Sequence, residues 1–477
     1  QASLRGPVRA PCASLPGRHM AGAEREDSRN VLQGIVGASA AAGVASVASV
    51  GRLFQRHIQL SLAVNVGLSL AGFWATTSII ECVGDMFVKV NLKGIDLNKS
   101  TTKRDKDGAL VRPVEGVPIP ESQGTVCAMV FIVIMSVFIP SAFAAHGIEE
   151  FPHARLTEYL AAVMTITIAS FLGFADDVLD LRWRQKIPLP AFATLPLLLV
   201  YHANGGETGV MVPNQLQHLL GEHLDLGIVW YLVLLFLAMC STQVINMYAG
   251  VNGLEVGQSV VIGISVFILN VVQLRRIPPQ SNEYRTQHLQ SLFLVMPFLA
   301  VSLALWRLNW FPARVFVGDT YCYFAGMTLA TICIVGHFSK TMIVFLIPQI
   351  LNAVYSLPQL VRHIGIPCPR HRMPAYDRER GYVKNSYTEF KPDELPPCGK
   401  AVFWMLRTFK LAHVLPPDAD GVVKMSNLTL INLAMYKLGS CREDVLCIRL
   451  LTFQCLCSCL CFALRFGVAS YVFDVVL

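Results

Sequence analysis

Ten apolar windows constrain the fold of this chain more than any other feature of its sequence. A transmembrane helix needs about 20 mostly apolar residues. With 53% hydrophobic and 15% charged residues, the chain also lies outside the average composition of soluble proteins. We therefore expect an all-α polytopic membrane protein with about ten transmembrane helices. The windows are residues 59–88, 125–145, 156–175, 188–202, 227–248, 254–274, 289–306, 321–337, 341–361 and 447–467.

The sequence predicts four parts. Residues 1–56 are rich in arginine and small residues, and we expect a disordered or artefactual extension. Residues 57–362 hold nine of the windows and form the predicted transmembrane catalytic core, and residues 441–477 hold the last window. In residues 363–440 aromatic and charged residues alternate around Gly381, which is typical of a hairpin. We expect a small mixed α/β insert there, on the cytosolic side and before the last helix.

Loop charge predicts the orientation of the chain. When ten spans alternate, the basic loops fall on one side, which the positive-inside rule assigns to the cytosol. The loop at 203–225 contains acidic residues and no Lys or Arg, as expected for the far side. Three residues conflict with this pattern: Arg275, Arg276 and Arg285. The basic loops are residues 89–121, 176–187, 307–320 and 362–440.

One cluster of acidic and basic residues follows the third window. Asp176 and Asp177 lie where that window ends, and Lys186 follows in the same loop. Ionisable groups at the edge of a span are costly unless they line a wet site, so they indicate function. A solvated helix end with ordinary ion pairs is the alternative interpretation.

Two further clusters supply oxygen ligands. Asn246 and Asn252 bracket a glycine-containing break between two windows, and Asp319 precedes the eighth window. Carboxylate and amide oxygens suit Mg²⁺, so we expect Asn246 and Asp319 to form a metal site. The alternatives are a tight turn for the two asparagines and a helix N-cap for Asp319.

Basic residues in the predicted insert suit phosphate groups. Arg370, His371 and Arg372 form a tripeptide between two prolines, and two guanidinium groups can bind a diphosphate through paired hydrogen bonds. A basic surface patch against anionic lipid is the alternative. Glu121 precedes the second window, where a helix cap is the default interpretation. The net charge of +7 is modest, and we expect no nucleic-acid partner.

Five motifs together resemble the eukaryotic branch of the polyprenyl-phosphate N-acetylhexosamine-1-phosphate transferase family. The similarity extends from about residue 59 to the C-terminus. Bacterial members carry a histidine cluster where this chain has Arg370-His371-Arg372. The motifs are Ile119-Pro-Glu-Ser-Gln-Gly124, Phe171-Leu-Gly-Phe-Ala-Asp-Asp-Val-Leu-Asp180, Ile245-Asn-Met-Tyr-Ala-Gly-Val-Asn-Gly-Leu-Glu255, Val315-Phe-Val-Gly-Asp-Thr320 and Pro369-Arg-His-Arg372.

The resemblance implies a reaction and a location. Such an enzyme transfers N-acetylglucosamine-1-phosphate from UDP-GlcNAc to dolichyl phosphate, releases UMP, and begins the lipid-linked oligosaccharide for protein N-glycosylation. It implies Mg²⁺ as cofactor and an endoplasmic reticulum membrane protein whose site faces the cytosol. The sequence leaves the oligomeric state open, a homodimer included. A membrane prenyltransferase and a polytopic transporter are the alternative functions.

The resemblance also implies a role for each motif residue. Asn246 and Asp319 correspond to the magnesium ligands, and Lys186 to the lysine near the acceptor phosphate. Asp176 and Asp177 belong to the signature and count among the expected catalytic residues, as do Arg370 and Arg372. The clamp for the pyrophosphate and sugar consists of Arg370, His371 and Arg372. The expected nucleotide-sugar contacts are Ile95, Asp96, Leu97, Glu121, Asn252 and Phe316, which stacks on the base.

Overall fold

The fold is seen in a computed structural model. It describes residues 18–97, 102, 115–143, 151–215, 217–278, 280–361, 363–369, 372–377 and 379–472. In this part of the chain α-helices dominate, and the strands form four separate two-stranded antiparallel sheets.

The helices are numbered in chain order. The first ten are α1 (Arg18–Gly51), α2 (Arg56–Lys89), α3 (Gly124–Phe143), α4 (His153–Leu179), α5 (Trp183–Lys186), α6 (Leu189–Ala203), α7 (Gln217–Leu220), α8 (Ile228–Met247), α9 (Leu254–Arg276) and α10 (Asn282–Asn309). The others are α11 (Gly318–Val335), α12 (Ser339–Phe345), α13 (Ile347–Leu360), α14 (Pro397–Thr408), α15 (Leu430–Leu438), α16 (Glu443–Ala463) and α17 (Ala469–Val472).

The strands are short and pair in antiparallel fashion. A 3₁₀ turn at Pro392–Glu394 and a π-helical turn at Leu464–Val468 complete the described elements. The pairs are β1 (Lys93–Ile95) with β2 (Pro118–Pro120), β3 (Gly209–Met211) with β4 (His223–Asp225), β5 (Ala375–Asp377) with β6 (Tyr382–Lys384), and β7 (Tyr387–Phe390) with β8 (Val423–Ser426).

The predicted fold class is confirmed. Each of the ten apolar windows coincides with a helix or, for residues 341–361, with the pair α12 and α13. Within the described residues, eight helices are long and apolar enough to cross a membrane, and this pair, bent by 64°, makes a possible ninth span. The remaining window is α11, whose residues from Thr320 to Val335 are all buried in the protein.

Helix α11 lies at the centre of the bundle because small residues let its neighbours approach closely. A methyl group on Gly326 would lie 2.5 Å from the backbone of Thr242 in α8, and one on Gly173 of α4 would lie 2.8 Å from Thr320. Small residues at helix contacts are a common device of membrane proteins. This packing brings the amino end of α11 beside the carboxyl ends of α4 and α8.

Residues Arg18–Gly51 form helix α1, whereas we expected disorder in this segment. Two arginines contact its end: Arg275 donates to Ser49 Oγ, and Arg285 Nη2 donates to the Leu53 carbonyl oxygen at 3.3 Å. Cations are favourable near the carbonyl groups that end a helix. Two of the three arginines that conflicted with the predicted orientation, Arg275 and Arg285, therefore bind the end of α1 and the residues that follow it, whereas Arg276 lies over the Phe466 ring. The proposed boundaries of the other parts stay a prediction.

The segment from 363 to 440 contains both strands and helices. Strands β5 and β6 form the hairpin predicted around Gly381, whose φ of 67° suits the turn. Strands β7 and β8 pack with α14 around a small separate core that includes Phe390, Phe403 and Met425. We call residues 363–440 the insert.

Candidate active site

Asp319 lies in the first turn of α11, and Asp177 of α4 fixes it there. The backbone N–H of Asp319 donates to Asp177 Oδ1 at 2.6 Å, and that of Thr320 donates to Asp177 Oδ2 at 3.2 Å. A carboxylate at the amino end of a helix satisfies free N–H groups and the helix dipole. Gly318 has a φ of 72°, and a side chain there would collide with Asp177. Asp177 is therefore a positioning residue for Asp319.

Lys186 connects two carboxylates. Its Nζ lies 2.8 Å from Asp319 Oδ2 and 3.1 Å from Asp176 Oδ2, and Asp176 is 2% exposed. The backbone carbonyl of Lys186 accepts hydrogen bonds from Gln243 Nε2 and from the Tyr323 hydroxyl. A buried ion pair is stable only when its geometry is well supported, and these contacts give that support.

Asn246 completes the set at the end of α8. Its Nδ2 donates to Asp319 Oδ1 at 2.9 Å, so the two oxygens of Asp319 contact an amide and an ammonium group. The four predicted residues Asp176, Lys186, Asn246 and Asp319 thus meet at one end of the bundle. We call them the helix-end cluster. Asp180, from the same motif as Asp176, is exposed and outside the cluster.

A loop pairing places Phe316 and Glu121 beside the helix-end cluster. The Phe316 N–H donates to the Pro120 carbonyl at 2.8 Å, and its own carbonyl accepts from Gln123 at 3.2 Å. A methyl group on Gly94 would lie 2.8 Å from the Phe316 ring and 3.5 Å from Glu121 Oε2. The pKa of Glu121 is raised because of burial first and then the negative charges of Asp177 and Asp319.

Asp96 and Asn252, both expected to contact the nucleotide sugar, contact each other. The Asn252 Nδ2 donates to Asp96 Oδ2 at 2.8 Å, and both residues are buried. The Asn252 N–H donates to Glu443 Oε1 at 2.8 Å, at the start of α16. The neighbours Ile95 and Leu97 are half-buried. The loop after β1, the α8–α9 turn and the start of α16 therefore form one wall.

Arg372 lies where the insert meets the core. Its carbonyl oxygen accepts from Ser386 Oγ at 3.4 Å and from Asn432 Nδ2 at 3.5 Å. Its Nη1 is buried and has no hydrogen-bond partner among the described residues. The next residue, Met373, contacts the α8–α9 turn, since a methyl group on Gly250 would lie 3.0 Å from Met373 Cγ. A guanidinium group whose buried Nη1 has no hydrogen-bond partner among the described residues suits an anionic ligand.

Two of the predicted clamp residues, Arg370 and His371, lie outside the described residues. Their expected roles stay predictions.

Comparison with known proteins places the helix-end cluster in a family context. The family described as glycosyl transferase family 4 matches residues 159–337, which include all four cluster residues. A Saccharomyces cerevisiae relative, UDP-N-acetylglucosamine–dolichyl-phosphate N-acetylglucosaminephosphotransferase, is 37% identical over 435 residues, covering 87% of this chain and 93% of the relative. Relatives with the same name in Schizosaccharomyces pombe and Dictyostelium discoideum are 37% and 40% identical, covering 88% and 82% of this chain and 95% and 86% of the relatives.

This chain belongs to the UDP-N-acetylglucosamine–dolichyl-phosphate N-acetylglucosaminephosphotransferase family. The resemblance drawn from the five motifs is thereby confirmed. These relatives favour a phosphotransferase over the prenyltransferase and transporter alternatives.

In this family member, the residues of the cluster fit a hard divalent cation. Asp176 and Asp319 contact the ammonium group of Lys186, and Asp177 and Glu121 lie close to Asp319, which leaves an excess of negative charge. Among the described residues no group of three His, Cys, Asp or Glu has metal-ligand geometry. Mg²⁺ does not need one, because it keeps water and phosphate ligands beside one or two protein oxygens. Turning the Asn246 amide by 180° would present its oxygen beside Asp319.

Sequence reasoning gave no role to two acidic residues that build this family site. Glu443 holds the Asn252 backbone, and Glu255 Oε1 accepts from the Gly250 N–H at 3.0 Å. Both acids lie in the first turn of a helix after an apolar window or loop, the same signal that drew attention to Asp319. Glu255 closes one of the five motifs but was given no role, and Glu443 belonged to no cluster in the sequence, because only the three-dimensional fold brings it to the α8–α9 turn.

Proposed function

We propose that this protein transfers N-acetylglucosamine-1-phosphate from UDP-GlcNAc to dolichyl phosphate, giving GlcNAc-diphospho-dolichol and UMP. The observation that carries the proposal is the meeting of Asp176, Lys186, Asn246 and Asp319 at one end of a transmembrane bundle, with Arg372 nearby on the insert. The names of the family relatives support the choice of donor and acceptor.

The reaction brings two anions together, so positioning and charge compensation dominate catalysis. An oxygen of dolichyl phosphate attacks the phosphorus that bears the sugar. The bond from that phosphorus to the oxygen of the α-phosphate breaks, and UMP leaves in line with the incoming oxygen. The ammonium group of Lys186, between Asp176 and Asp319, attracts the acceptor phosphate. Arg372 holds the diphosphate of the donor.

Direct displacement suits the structure better than a covalent aspartyl intermediate. Both carboxylate oxygens of Asp177 accept hydrogen bonds from Asp319 and Thr320, and Asp176 is buried against Lys186. Neither carboxylate is placed to attack. The acceptor phosphate is already ionised at neutral pH, so no strong general base is required.

Asn246 and Asp319 are the residues that would hold Mg²⁺, whose positive charge would stabilise the diphosphate oxygens and the leaving phosphate. Asp177 keeps the Asp319 side chain at the end of α11 for that purpose. Asp96, Asn252 and Phe316 form the wall for the uridine portion of the donor. The excess negative charge of the cluster is the argument for the ion.

The membrane setting follows from the same assignment. The eight candidate spans support a multi-pass membrane protein. We place the protein in the endoplasmic reticulum membrane with the helix-end cluster and the insert facing the cytosol, because the basic loops lie on that side. Membrane lipid then surrounds the exposed apolar side chains of α2, α3 and α8.

The direct test is release of UMP from UDP-GlcNAc by purified protein in detergent, measured with and without dolichyl phosphate. We expect UMP only when UDP-GlcNAc, dolichyl phosphate and Mg²⁺ are all present. A protein that makes no UMP, or that makes UMP equally well without a polyprenyl phosphate, would contradict the proposal. The other two functions separate in the same assay, because a prenyltransferase or a transporter releases no UMP.

A further inference from the structure

Buried side-chain amides hold the end of α8 that carries Asn246. The Asn352 Nδ2 of α13 donates to the Met247 carbonyl oxygen at 3.0 Å. The Gln258 Nε2 of α9 donates to two other carbonyl oxygens at this helix end, at 3.0 and 3.2 Å. Asn352 and Gln258 are both 0% exposed. The last carbonyl groups of a helix lack partners within the helix, so these contacts fix where α8 ends.

The same face of α13 binds the insert. Asn352, Ser356 and Gln359 are spaced by four and three residues, which puts them on one side of a helix. Ser356 Oγ donates to the Leu428 carbonyl at 2.7 Å, and Gln359 Oε1 accepts from the Leu428 N–H at 2.8 Å. Asn352 Oδ1 accepts from the Leu430 N–H at 2.9 Å. Asn352 is therefore bonded to α8 through one atom and to the insert through the other.

The contact at Leu430 leads directly to Arg372. Leu430 is the first residue of α15, and Asn432 in the same helical turn donates to the Arg372 carbonyl. Asn432 Oδ1 also accepts from the Ser386 N–H at 2.9 Å. The backbone of Arg372 is thus held by the helix start that Asn352 fixes.

We infer that Asn352 is a positioning residue that sets Asn246 and Arg372 relative to each other across the active site. The inference rests on the proposed function, in which Asn246 would hold the metal ion and Arg372 binds the diphosphate of the donor. Breaking either hydrogen bond of Asn352 would leave buried polar groups unsatisfied. The two bonds therefore fix the distance between the end of α8 and the start of α15. A shift of about 1 Å at a reacting centre can cost about 100-fold in rate.

Neighbouring amides differ from Asn352 in what they connect. Gln349 Nε2 donates to Gln258 Oε1 at 2.8 Å and to Gln454 Oε1 at 2.6 Å, joining α9, α13 and α16 inside the bundle. Within the described hydrogen bonds, these three glutamines do not reach the insert, whereas Ser356 reaches the insert but not α8. Asn352 alone among these five side chains bonds to both regions.

The test compares two substitutions at one position. Asn352→Leu keeps the branched shape of the side chain and removes both hydrogen bonds, so we expect kcat to fall about 10- to 100-fold and KM for UDP-GlcNAc to rise. Asn352→Asp keeps the acceptor for Leu430 but places a carboxylate against the Met247 carbonyl. It should lower kcat while leaving KM near the wild-type value. Ser356→Ala, one turn along the same helix, is the matched control and should change kcat much less than Asn352→Leu does.

The wild-type protein is assayed first by UMP release, because an inactive wild type contradicts the proposed function and not the positioning role. With an active wild type, values of kcat and KM within about twofold of wild type for Asn352→Leu overturn the inference. An equal rise in KM for Asn352→Asp and Asn352→Leu also overturns the inference. The oxygen that accepts from the Leu430 N–H, which only the Asp variant keeps, would then have no effect on the binding of UDP-GlcNAc. If Asn352→Leu does not fold, the Asp variant against Ser356→Ala decides the question.

Discussion

The helix-end cluster and the insert prepare their charged groups in opposite ways. In the cluster, Lys186 and Asp319 are already paired at 2.8 Å, and Asp177 is bonded to the start of α11. In the insert, Arg372 is positioned through its backbone, while its buried Nη1 has no hydrogen-bond partner among the described residues. The charged groups of the cluster partly compensate one another before substrate arrives. In the insert, the guanidinium group of Arg372 is expected to find its partner in the diphosphate of the donor.

This difference predicts different kinetic effects. Removing a member of the cluster should destroy a mutually dependent arrangement and affect the chemical step. Removing Arg372 should mainly weaken the binding of UDP-GlcNAc and of the transition state. The following predictions test that contrast.

The largest effect is expected for Asp319→Ala and for Asn246→Ala. Both variants should lose at least about 10³-fold in kcat, because an electrostatic group at the reacting centre is removed. UMP release in detergent with saturating Mg²⁺ measures the loss, and size-exclusion chromatography checks the fold. Asp180→Asn is the matched control, since Asp180 is exposed in the same motif as Asp176 and has a φ of 46° that Asn tolerates. Near-normal turnover of either Ala variant would show that the metal ligands are assigned wrongly.

A smaller loss is expected for Arg372→Ala. The variant should lose at least about 2 kcal/mol of transition-state stabilisation, roughly 30-fold in kcat/KM, because a buried charged contact disappears. Arg372→Lys should recover only part of it, since an ammonium group cannot form the paired guanidinium contacts. Arg380→Ala, at the exposed tip of the β5–β6 hairpin, is the control. An unchanged kcat/KM for Arg372→Ala argues against the clamp.

Asp177 should behave as a positioning residue and not as a nucleophile. Asp177→Ala removes the acceptors for two N–H groups of α11, so the free energy of unfolding should fall by about 1 kcal/mol. Thermal unfolding in detergent gives the measurement. Asp177→Asn keeps one acceptor oxygen and should recover part of the stability and part of the activity. A phosphorylated Asp177 trapped from the wild type, or an inactive Asn variant of full stability, would be the opposite result.

The smallest effect concerns Glu121 and pH. Because its pKa is raised in the folded protein above the ordinary value of 4.5, the folded state favours the neutral form. That relative stabilisation is present below pH 4.5 and is lost as pH rises through the raised pKa. Glu121→Gln should therefore raise Tm more at pH 7 than at pH 4, with the difference reduced by Mg²⁺. Equal Tm shifts at both pH values would mean that the pKa of Glu121 is not raised in the folded protein.

The sequence predicted the core better than the insert, and the reason is physical. Charged residues beside an apolar window, such as Asp176 and Asp319, stand out because the membrane makes them costly. Alternation of the spans then predicted that Asp176 and Asp319 lie at the same end of the helix bundle, and both contact Lys186 there. In the insert, polar residues are ordinary, and Asn432 gave no signal that it holds Arg372.

Contacts between distant residues of unremarkable type could not be predicted. In the sequence, Asn352 and Gln258 are single polar residues in apolar helices. Asn352 finds its partner in α8 after the bend between α12 and α13, and Gln258 finds its partners through the packing of α9 against α8. Helix α1 was not predicted either, because Ala, Gly and Ser give a weak apolar signal. The contacts at its end come from Arg275 of α9 and Arg285 of α10, which belong to another part of the chain.

The most direct measurement of the central claim follows the β-phosphorus of the donor. Purified wild type and Asp319→Ala are incubated with [β-³²P]UDP-GlcNAc, dolichyl phosphate and Mg²⁺, and the organic and aqueous phases are separated. If the helix-end cluster transfers the sugar together with its phosphate, the label enters the organic phase with wild type and stays aqueous with Asp319→Ala. Label that remains in aqueous UDP with an active wild type, or that enters lipid equally well with the variant, contradicts the account.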